Sequence, residues 1–551
     1  MKRIALLITC LAIAAVAFVV ADRLAVVDVS AQSDGTPAFR PVTWERLLNA
    51  ADEPENWLMY NGTLDAQRYS GLEQIHSRNV QNLELKWAYQ IPEIDRAETT
   101  PLVVDGIMFV TEAPSNVVAL DAATGRQYWR YEQELPDDLR ICCGRNNRGV
   151  AILGETLYYS SLDAKLVALD ARSGNQVWES VAANYQSGYS KTAAPLIVKD
   201  QVVTGIAGGE FGIRGFLDAY DADTGTLTWR TYTIPGPDEP GNDTWMGDSW
   251  RTGGSPTWIT GAYDPDLDLV YWGTGNPGPD WNGEVRLGDN LYSDSALALN
   301  GETGELEWYF QFTPHDIHDW DAIQVPILGD IMYEGEMRKV MMWANRNAFY
   351  YTLDRETGEF LVGTEYAKQT WAEGLDENGR PIRVPNMEPS IEGTLVSPSI
   401  GGGTNWWSPT FSPRTGLFYV NAYDGEQIYF IREEEYVEGE QYTGGGGQNA
   451  APQDTYHSAV RAIDPATGDV RWEYPIAPRS TSGLTSTAGD LVFGGTVDGY
   501  FFAIDAVSGE ELWHVAVGAR VHAAPITYAV DGEQYVTIAA GNVVFTFGLS
   551  D

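Results

Sequence analysis

The segment Ala119-Leu-Asp-Ala-Ala-Thr-Gly-Arg-Gln-Tyr-Trp129 carries the pattern on which the predicted fold depends. Alternating apolar residues before Asp121 predict a strand, and Asp-x-x-Thr-Gly predicts a tight turn with Gly125 in the left-handed region. The strand that follows the turn ends in Trp129. Each copy of this phrase is therefore a β-hairpin. A hairpin cannot bury its own apolar face, so neighbouring copies must stack on one another.

The phrase recurs along most of the chain. Further copies end at Trp178, Trp229, Trp308, Trp472 and Trp513, and the copy Thr352–Gly358 lacks the tryptophan. The spacing from one tryptophan to the next is typical of one four-stranded propeller blade. With Trp87 as the partner of the first blade, the copies predict about eight blades. The earlier segment 55–70 is predicted to supply the strand and loop that close the ring. The predicted fold class is all-β, an eight-bladed β-propeller whose repeats dock through tryptophans.

The charge balance excludes several classes of partner. The chain of 551 residues has 35 basic and 77 acidic side chains, a net charge of −42. Nucleic acids and anionic membrane surfaces require a positive face, so neither is an expected partner. An acidic surface suits a basic protein or a cation. The 57 glycines and 19 tryptophans are typical of an all-β repeat protein.

The N-terminus has the pattern of an export signal. Lys2 and Arg3 precede an uncharged apolar run over residues 4–20, and small-residue cleavage sites end at Ala21 and Ala31. We predict a signal peptide over residues 1–31, a propeller domain over 32–551 and a periplasmic location. A retained N-terminal anchor is the alternative, although the run is short for a membrane span.

One acidic segment is the first candidate for a site. It reads Thr313-Pro-His-Asp-Ile-His-Asp-Trp-Asp-Ala322, and Asp319 and Asp321 flank Trp320. In an extended segment, side chains two residues apart point the same way, so both carboxylates would face one cavity. Two like charges that close require a cation or a proton. The alternative is a surface loop rich in Asx-turns.

Five motifs in order give the chain a family resemblance. They are the tryptophan repeat, the adjacent Cys142-Cys143, the glycine-rich Gly205–Phe216, Tyr271-Trp-Gly-Thr-Gly-Asn-Pro277 and His315–Asp321. Together they resemble the alcohol dehydrogenases that depend on pyrroloquinoline quinone (PQQ), the methanol and ethanol dehydrogenase group. The resemblance covers nearly the whole chain after the predicted signal.

The resemblance implies a cofactor site and a metal site. Cys142 and Cys143, which could otherwise be two free thiols, are expected to form a disulfide that lies on one face of PQQ, with Trp258 on the other. The expected cofactor-binding residues are Glu98, Cys142, Cys143, Arg148, Thr192, Gly208, Gly209, Trp258, Arg346, Asn405 and Trp406. The expected metal ligands are Glu210, Asn276, Asp319 and Asp321.

These ligands are all oxygen donors, which favours a hard cation. His315 and His318 are therefore assigned to the loop structure rather than to the metal. An aspartate at the position of Asp321 resembles the lanthanide-dependent branch of the family, so we expect a lanthanide, with calcium as the alternative. The alternative role for Asp321 is an ion pair with an arginine or the cap of a turn. A trivalent ion gains more from each added carboxylate than a divalent one.

The implied reaction is oxidation of a primary alcohol to an aldehyde by hydride transfer to metal-bound PQQ. Asp319 is the expected general base, and Arg346 is expected to stabilise negative charge on the quinone. No Cys-x-x-Cys-His is present in the sequence, so a separate cytochrome c is the expected electron acceptor. A homodimer remains open. The alternatives are a sugar or polyol dehydrogenase and, in a different class, a non-catalytic propeller scaffold.

Overall fold

The computed structural model describes residues 36–92 and 96–550. The described chain is built from β-strands, with one α-helix over Trp44–Leu48 and short 3-10 turns. Within these ranges no helix has the length and apolar character needed to cross a membrane. The predicted signal peptide over residues 1–31 lies outside the described residues. The prediction of an all-β protein is confirmed.

Eight sheets in the described residues have four antiparallel strands, and one of these eight carries an added parallel strand. The first four sheets comprise Leu102–Val104, Ile107–Glu112, Asn116–Asp121 and Gln127–Tyr131; Val150–Leu153, Thr156–Ser161, Lys165–Asp170 and Gln176–Val181; Leu196–Val198, Gln201–Gly205, Phe216–Asp221 and Leu227–Tyr232; and Ala262–Asp264, Leu269–Gly273, Ser295–Asn300 and Leu306–Gln311.

The remaining four comprise Ile327–Tyr333, Glu336–Ala344, Phe349–Asp354 and Phe360–Glu365; Thr410–Ser412, Leu417–Tyr423, Ser458–Ile463 and Val470–Pro475; Thr485–Thr487, Leu491–Gly495, Tyr500–Asp505 and Glu511–Ala516, joined by Tyr69–Ser70; and Ile526–Val530, Glu533–Ala540, Val543–Leu549 and Leu83–Gln90. A small sheet of Ala372–Leu375 and Pro381–Arg383 lies in the connection between the fifth and sixth of these sheets. A second small sheet pairs Thr394–Val396, from the same connection, with Gln427–Ile431 and Gly445–Asn449, which are inserted between the second and third strands of the sixth sheet.

The last sheet pairs a strand near the start of the described chain with the last strand of the chain. Leu83–Gln90 pairs antiparallel with Val543–Leu549, from Leu83 opposite Leu549 to Gln90 opposite Val543. We expected the earlier segment 55–70 to close the ring, and this expectation is wrong. Tyr69–Ser70 instead adds a short parallel strand to the neighbouring sheet. The eight residues from Leu83 supply a strand long enough to match its partner, whereas the earlier segment forms only two residues of strand.

Five tryptophans of the repeat, and Trp87, each pack on the turn glycine of the next sheet. A Cβ atom on Gly174, where φ is +73°, would lie 2.5 Å from Cε3 of Trp129. The indole N–H of Trp129 donates to the carbonyl of Ala171 in the same turn at 3.1 Å. The other docking pairs are Trp87 on Gly125, Trp178 on Gly225, Trp229 on Gly304, Trp308 on Gly358 and Trp472 on Gly509. In the copy that lacks tryptophan, Thr364 takes this place over Gly468.

The aspartate of the repeat holds the turn that receives the tryptophan. Oδ1 of Asp121 accepts hydrogen bonds from the backbone N–H of Ala123 at 3.0 Å and of Thr124 at 2.9 Å. The same arrangement is made by Asp505, whose Oδ1 accepts from Val507 and Ser508. A short carboxylate satisfies turn N–H groups that no strand can pair. The phrase therefore encodes both a turn and the surface on which the preceding tryptophan docks.

The first strands of several successive sheets contact one another, which places them on the inner side of the arrangement. Because the strands of a sheet are antiparallel, the start of the first strand and the loop between the second and third strands lie at the same end of the sheet. Residues from many sheets are thereby collected on one face around the centre. The candidate site lies there.

A buried lysine beneath this face provides a test of the packing. Lys191 is 1% exposed, and its Nζ donates to the carbonyl of Gly205 at 2.8 Å. Burial lowers its pKa to about 8. A lysine whose folded pKa lies below its unfolded value destabilises the fold while protonated, so this cost disappears as pH rises from the folded to the unfolded pKa.

We therefore expect the free energy of unfolding to rise by about 1–2 kcal/mol between pH 8 and 9.5 through this group alone. Urea unfolding of the wild type and of Lys191→Met at both pH values isolates the contribution. Between pH 8 and 9.5, the free energy of unfolding of the wild type should rise by that amount more than that of the variant. An equal rise in both proteins would contradict the prediction.

Candidate active site

A cavity of about 380 Å³ opens at the centre of the ring. Its wall is built largely by the segments that enter the first strand of each sheet. These segments contribute, in chain order, Arg96 and Glu98, Arg148, Ser190 and Thr192, Pro256 and Trp258, Asp319 and Asp321, Asn405 to Trp407, Arg479 and Thr481, and Arg520 and His522. Gly208, Glu210 and Arg346 come from loops between second and third strands. The fold thus brings side chains from all eight sheets to one space.

One end of the cavity is acidic. Glu210, Asp319 and Asp321 all line it, together with Arg346. Nη1 of Arg346 lies 2.5 Å from Oδ2 of Asp321, and Nη2 lies 3.6 Å from Oδ1 of Asp319. The guanidinium group therefore bridges the two aspartates that flank Trp320.

The two aspartates share the cavity, but not because the segment is extended. Asp319 has φ of +61°, in the left-handed region, and the segment contains no strand. Oδ1 of Asp316 accepts from the N–H of His318 at 3.0 Å, and its Oδ2 accepts from the N–H of Trp320 at 2.8 Å. Asp316 thus folds the segment into a tight turn, and this turn places both carboxylates on the cavity side.

The protein environment strongly disfavours ionisation of the acids here. Burial, with a smaller contribution from the charge of Asp321, raises the pKa of Glu210 to about 7. Burial also raises the pKa of Asp319 well above its usual range, and Asp321, Asp280 and Glu210 add to that effect against the opposing charge of Arg346. Like charges that are withdrawn from water in one cavity require a proton or a cation.

Asn276, an expected metal ligand, lies behind this acidic end. Its backbone N–H donates to Oδ1 of Asp321 at 2.9 Å, and its Nδ2 donates to Oδ1 of Asp280 at 2.9 Å. Asn276 and Asp280 are both almost fully buried, at 4% and 1% exposure. The four expected ligands therefore lie in one connected region. The carboxylate oxygens of Glu210, Asp319 and Asp321 are not all within 4.8 Å of one another.

The middle of the cavity is aromatic and cationic. The guanidinium carbon of Arg148 lies 5.0 Å from the ring centroid of Trp258 and 4.6 Å from that of Trp406. Its Nη2 lies 2.7 Å from Oε2 of Glu98. Nε and Nη1 of Arg148 are buried and have no hydrogen-bond partner in the described residues. Buried donors without an acceptor are costly, so they indicate a site for an anionic group.

Cys142 and Cys143 form a disulfide, which confirms that prediction. Both cysteines line the cavity, and Sγ of Cys143 lies 3.6 Å from Oε1 of Glu210. The two sulfurs and Glu210 form a compact group of candidate donor atoms, but sulfurs joined in a disulfide are not thiolate ligands. The disulfide is therefore part of the cavity wall beside its acidic end.

The remaining expected cofactor residues lie at or beside the cavity. Thr192 and Asn405 line it, as does Gly208, whereas Gly209 does not. Gly208 has φ of +119°, and a Cβ there would lie 2.1 Å from the carbonyl oxygen of Gly188. The absence of a side chain at Gly208 is thus required by loop packing. Close approach of a cofactor is not needed to explain it.

His315 and His318 serve the loop, as we predicted from the preference of hard cations for oxygen. Nε2 of His318 lies 2.9 Å from the carbonyl oxygen of Met387, and its ring stacks on Trp320 with centroids 4.2 Å apart. Burial lowers the pKa of His318 to about 3 and that of His315 to about 4. Both rings are neutral at pH 7, and neither lines the cavity.

Several cavity residues were missed in the sequence. Arg479, Thr481, Arg520 and His522 line the wall contributed by the last two sheets. His522 is 8% exposed, and burial together with three neighbouring arginines lowers its pKa to about 3. The signal that could have found them is positional, because each lies four to six residues before the first strand of a sheet.

Comparison with known proteins gives the family. A family model described as PQQ, glucose/ethanol/alcohol dehydrogenase, beta-propeller domain, matches residues 57–378 and 474–536. The chain belongs to this family of PQQ-dependent dehydrogenases. The quinoprotein alcohol dehydrogenase PedH of Pseudomonas putida is 38% identical over 531 residues, which are 92% of this chain and 89% of that protein.

Two further relatives agree with the assignment. The quinohemoprotein alcohol dehydrogenase ADH IIB of Pseudomonas putida is 40% identical over 505 residues, 88% of this chain and 73% of that protein. A solved structure, a europium-containing methanol dehydrogenase, superposes with a TM-score of 0.87 at 32% identity and covers 92% of this chain and 100% of its own. The predicted family is confirmed.

The residues of the cavity fit the two groups that this family implies. PQQ is a flat tricarboxylate, and the cavity offers a disulfide, two indoles and a guanidinium with unpartnered buried N–H groups. A hard cation requires oxygen donors, which Glu210, Asn276, Asp319 and Asp321 supply. These donors are spread more widely than a bound ion would hold them, since Arg346 occupies the space between the two aspartates.

Proposed function

We propose that this protein oxidises a primary alcohol to an aldehyde in a reaction that uses PQQ and one metal ion. The supporting observation is that one cavity joins the Cys142–Cys143 disulfide, Trp258 and Arg148 to the acidic end that contains Asp319 and Arg346. The relatives are named alcohol dehydrogenases, which favours an enzyme with this reaction over a non-catalytic scaffold.

The roles of the chain's own residues follow from where they lie. Bound PQQ supplies the two-electron acceptor for the substrate. Asp319 accepts the hydroxyl proton of the alcohol when its carboxylate is ionised, since it borders the cavity and since the burial that raises its pKa makes the ionised carboxylate a stronger base. Arg346 holds that carboxylate in place and offers positive charge at the same end of the cavity. Trp258 and the disulfide, which both line the cavity, would confine the flat cofactor.

The charge around the acidic end supports a trivalent ion. Six carboxylates interact electrostatically there, those of Glu210, Asp280, Asp294, Asp316, Asp319 and Asp321, against three guanidinium groups of Arg286, Arg346 and Arg383. When all are ionised, negative charge is in excess by three. We propose that Glu210, Asn276, Asp319 and Asp321 hold a light lanthanide, with calcium as the alternative.

The metal preference is tested by loading metal-free protein with PQQ and either lanthanum or calcium. We expect lanthanum to give at least tenfold higher dye-linked alcohol oxidation than calcium. In Asp321→Asn, which keeps the side-chain shape and removes one charge, the advantage of lanthanum should shrink. Full activity with calcium in the wild type, unchanged by the substitution, would contradict the lanthanide assignment.

The setting of the enzyme is also proposed. The eight four-stranded sheets are the blades of one eight-bladed ring, and the export pattern at the N-terminus supports a periplasmic location. The acidic surface would attract a basic soluble cytochrome c as electron acceptor. A sugar or polyol remains the alternative substrate, because the matching family model also covers glucose dehydrogenases. A panel of alcohols and sugars on the loaded enzyme separates the two.

A further inference from the structure

We propose that Asp280 is a positioning residue for the metal site, which fixes the side-chain amide of Asn276 so that its oxygen faces the cation. This inference rests on the proposed metal site. Asp280 is not among the residues expected from the sequence, and it does not line the cavity.

The geometry around Asn276 is specific. Its Nδ2 donates to Oδ1 of Asp280 at 2.9 Å and makes a longer contact of 3.4 Å with the carbonyl oxygen of Pro277. Its backbone N–H donates to Asp321. A Cβ built on Gly209 would lie 3.9 Å from Oδ1 of Asn276, so this oxygen is on the side of the segment that carries Glu210.

A carboxylate is suited to set the orientation of an amide. The side chain of Asn276 has a donor and an acceptor end of nearly the same shape, and many neighbours would accept either end. When a cation bound nearby keeps Asp280 ionised, its carboxylate only accepts hydrogen bonds, so it pairs with the NH₂ end and leaves the oxygen for the cation. Neutral polar groups at this place would permit the reverse orientation, which would present N–H groups to the cation.

Asp280 is itself held rigidly. Nε of Arg286 donates to the carbonyl oxygen of Pro279 at 3.2 Å, and Nη2 donates to the carbonyl oxygens of Asp280 at 3.3 Å and Asp316 at 2.6 Å. Arg286 is fully buried and ties the backbone of Asp280 to the segment that bears Asp319. Oδ2 of Asp280 is buried and has no hydrogen-bond partner in the described residues. The hydrogen bond to Asn276 is therefore the main polar contact of this carboxylate.

Terbium binding to cofactor-free protein tests this role without any activity measurement. Luminescence titration gives the affinity, and lifetimes in H₂O and D₂O count the water molecules on the ion. In Asp280→Ala we expect a 10- to 100-fold loss of affinity, the usual effect of removing the partner of a metal ligand. We also expect about one more bound water, because the oxygen of Asn276 is lost as a ligand.

Two comparisons separate positioning from charge. Asn276→Ala should show the same loss of terbium affinity and the same added water, and the double variant should bind terbium no more weakly than Asn276→Ala alone.

Asp294→Asn is the matched charge control, since Asp294 is a buried carboxylate at the same end of the cavity that does not contact Asn276. It should leave the water count unchanged. Asp280→Ser serves as a second variant that is too short to reach the amide, and circular dichroism confirms that each variant is folded.

The inference is overturned if Asp280→Ala and Asp280→Ser bind terbium with the wild-type water count. It is also overturned if, in the double variant, the loss of terbium affinity from Asp280→Ala adds to the loss from Asn276→Ala. If Asp294→Asn loses as much terbium affinity as Asp280→Ala, and no variant gains a bound water, Asp280 acts only through its charge and the inference is wrong. Failure of the wild type itself to bind terbium would instead contradict the proposed metal site.

Discussion

Replacement of Asp319 with asparagine is expected to lower kcat for a primary alcohol by about 10²–10⁴-fold, the usual contribution of a general base. Asparagine keeps the size of the side chain and its contact with Arg346 from the oxygen, but it cannot take up a proton. Asp319 and Asp321 both border the cavity and contact Arg346, at 3.6 and 2.5 Å respectively, so the carboxylate of Asp319 is the less tightly paired of the two.

The measurement is steady-state dye reduction by wild type and variant at equal PQQ content, checked by absorbance. The thermal midpoint should change little, and KM should change far less than kcat. A variant that binds PQQ and metal normally and retains more than a tenth of the wild-type kcat would show that another group accepts the proton.

The largest expected effect on stability comes from the docking of a tryptophan on a turn glycine. Gly174→Ala places a Cβ where only 2.5 Å separates it from Trp129, in a residue whose φ is +73°. The strain of the left-handed conformation costs about 1 kcal/mol and the overlap a further 1–3 kcal/mol or more. Displacement of Trp129 would also break its hydrogen bond to Ala171.

Gly335 provides the matched control. It also has positive φ, at +90°, but a Cβ there would meet nothing within 4 Å. Gly335→Ala should therefore show only the conformational strain, and urea unfolding should place Gly174→Ala at least about 1–3 kcal/mol below it. Equal destabilisation of the two variants would mean that the contact between tryptophan and glycine adds nothing to the stability of the ring.

The hairpin phrase made the fold predictable because each of its residues has a local reason. The aspartate pairs with turn N–H groups, the glycine accepts the left-handed turn, and the tryptophan covers that glycine from the previous sheet. The closing strand was misplaced because Leu83–Gln90 carries no such turn phrase. Its partner, Val543–Leu549, lies more than 450 residues away in sequence.

The candidate site was predictable only where a motif marked it. The acidic segment and the adjacent cysteines are visible as letters, and both line the cavity. The turn that Asp316 imposes on Asp319 could not be deduced, because it depends on side-chain hydrogen bonds within the segment. Arg520 and His522 have no unusual neighbours in the sequence, and only the ring arrangement brings them to the same wall as Arg96.

The central claim is that this cavity uses PQQ and a metal ion to oxidise an alcohol. The most direct test is a titration of purified, cofactor-free protein with PQQ in the presence of lanthanum or calcium, followed by dye reduction on addition of ethanol. We predict no activity without PQQ and none without metal. With both present, activity should saturate at one PQQ per chain, and a metal chelator should abolish it. Protein that binds no PQQ, or that binds PQQ and metal but oxidises none of a panel of alcohols and sugars, would contradict the account.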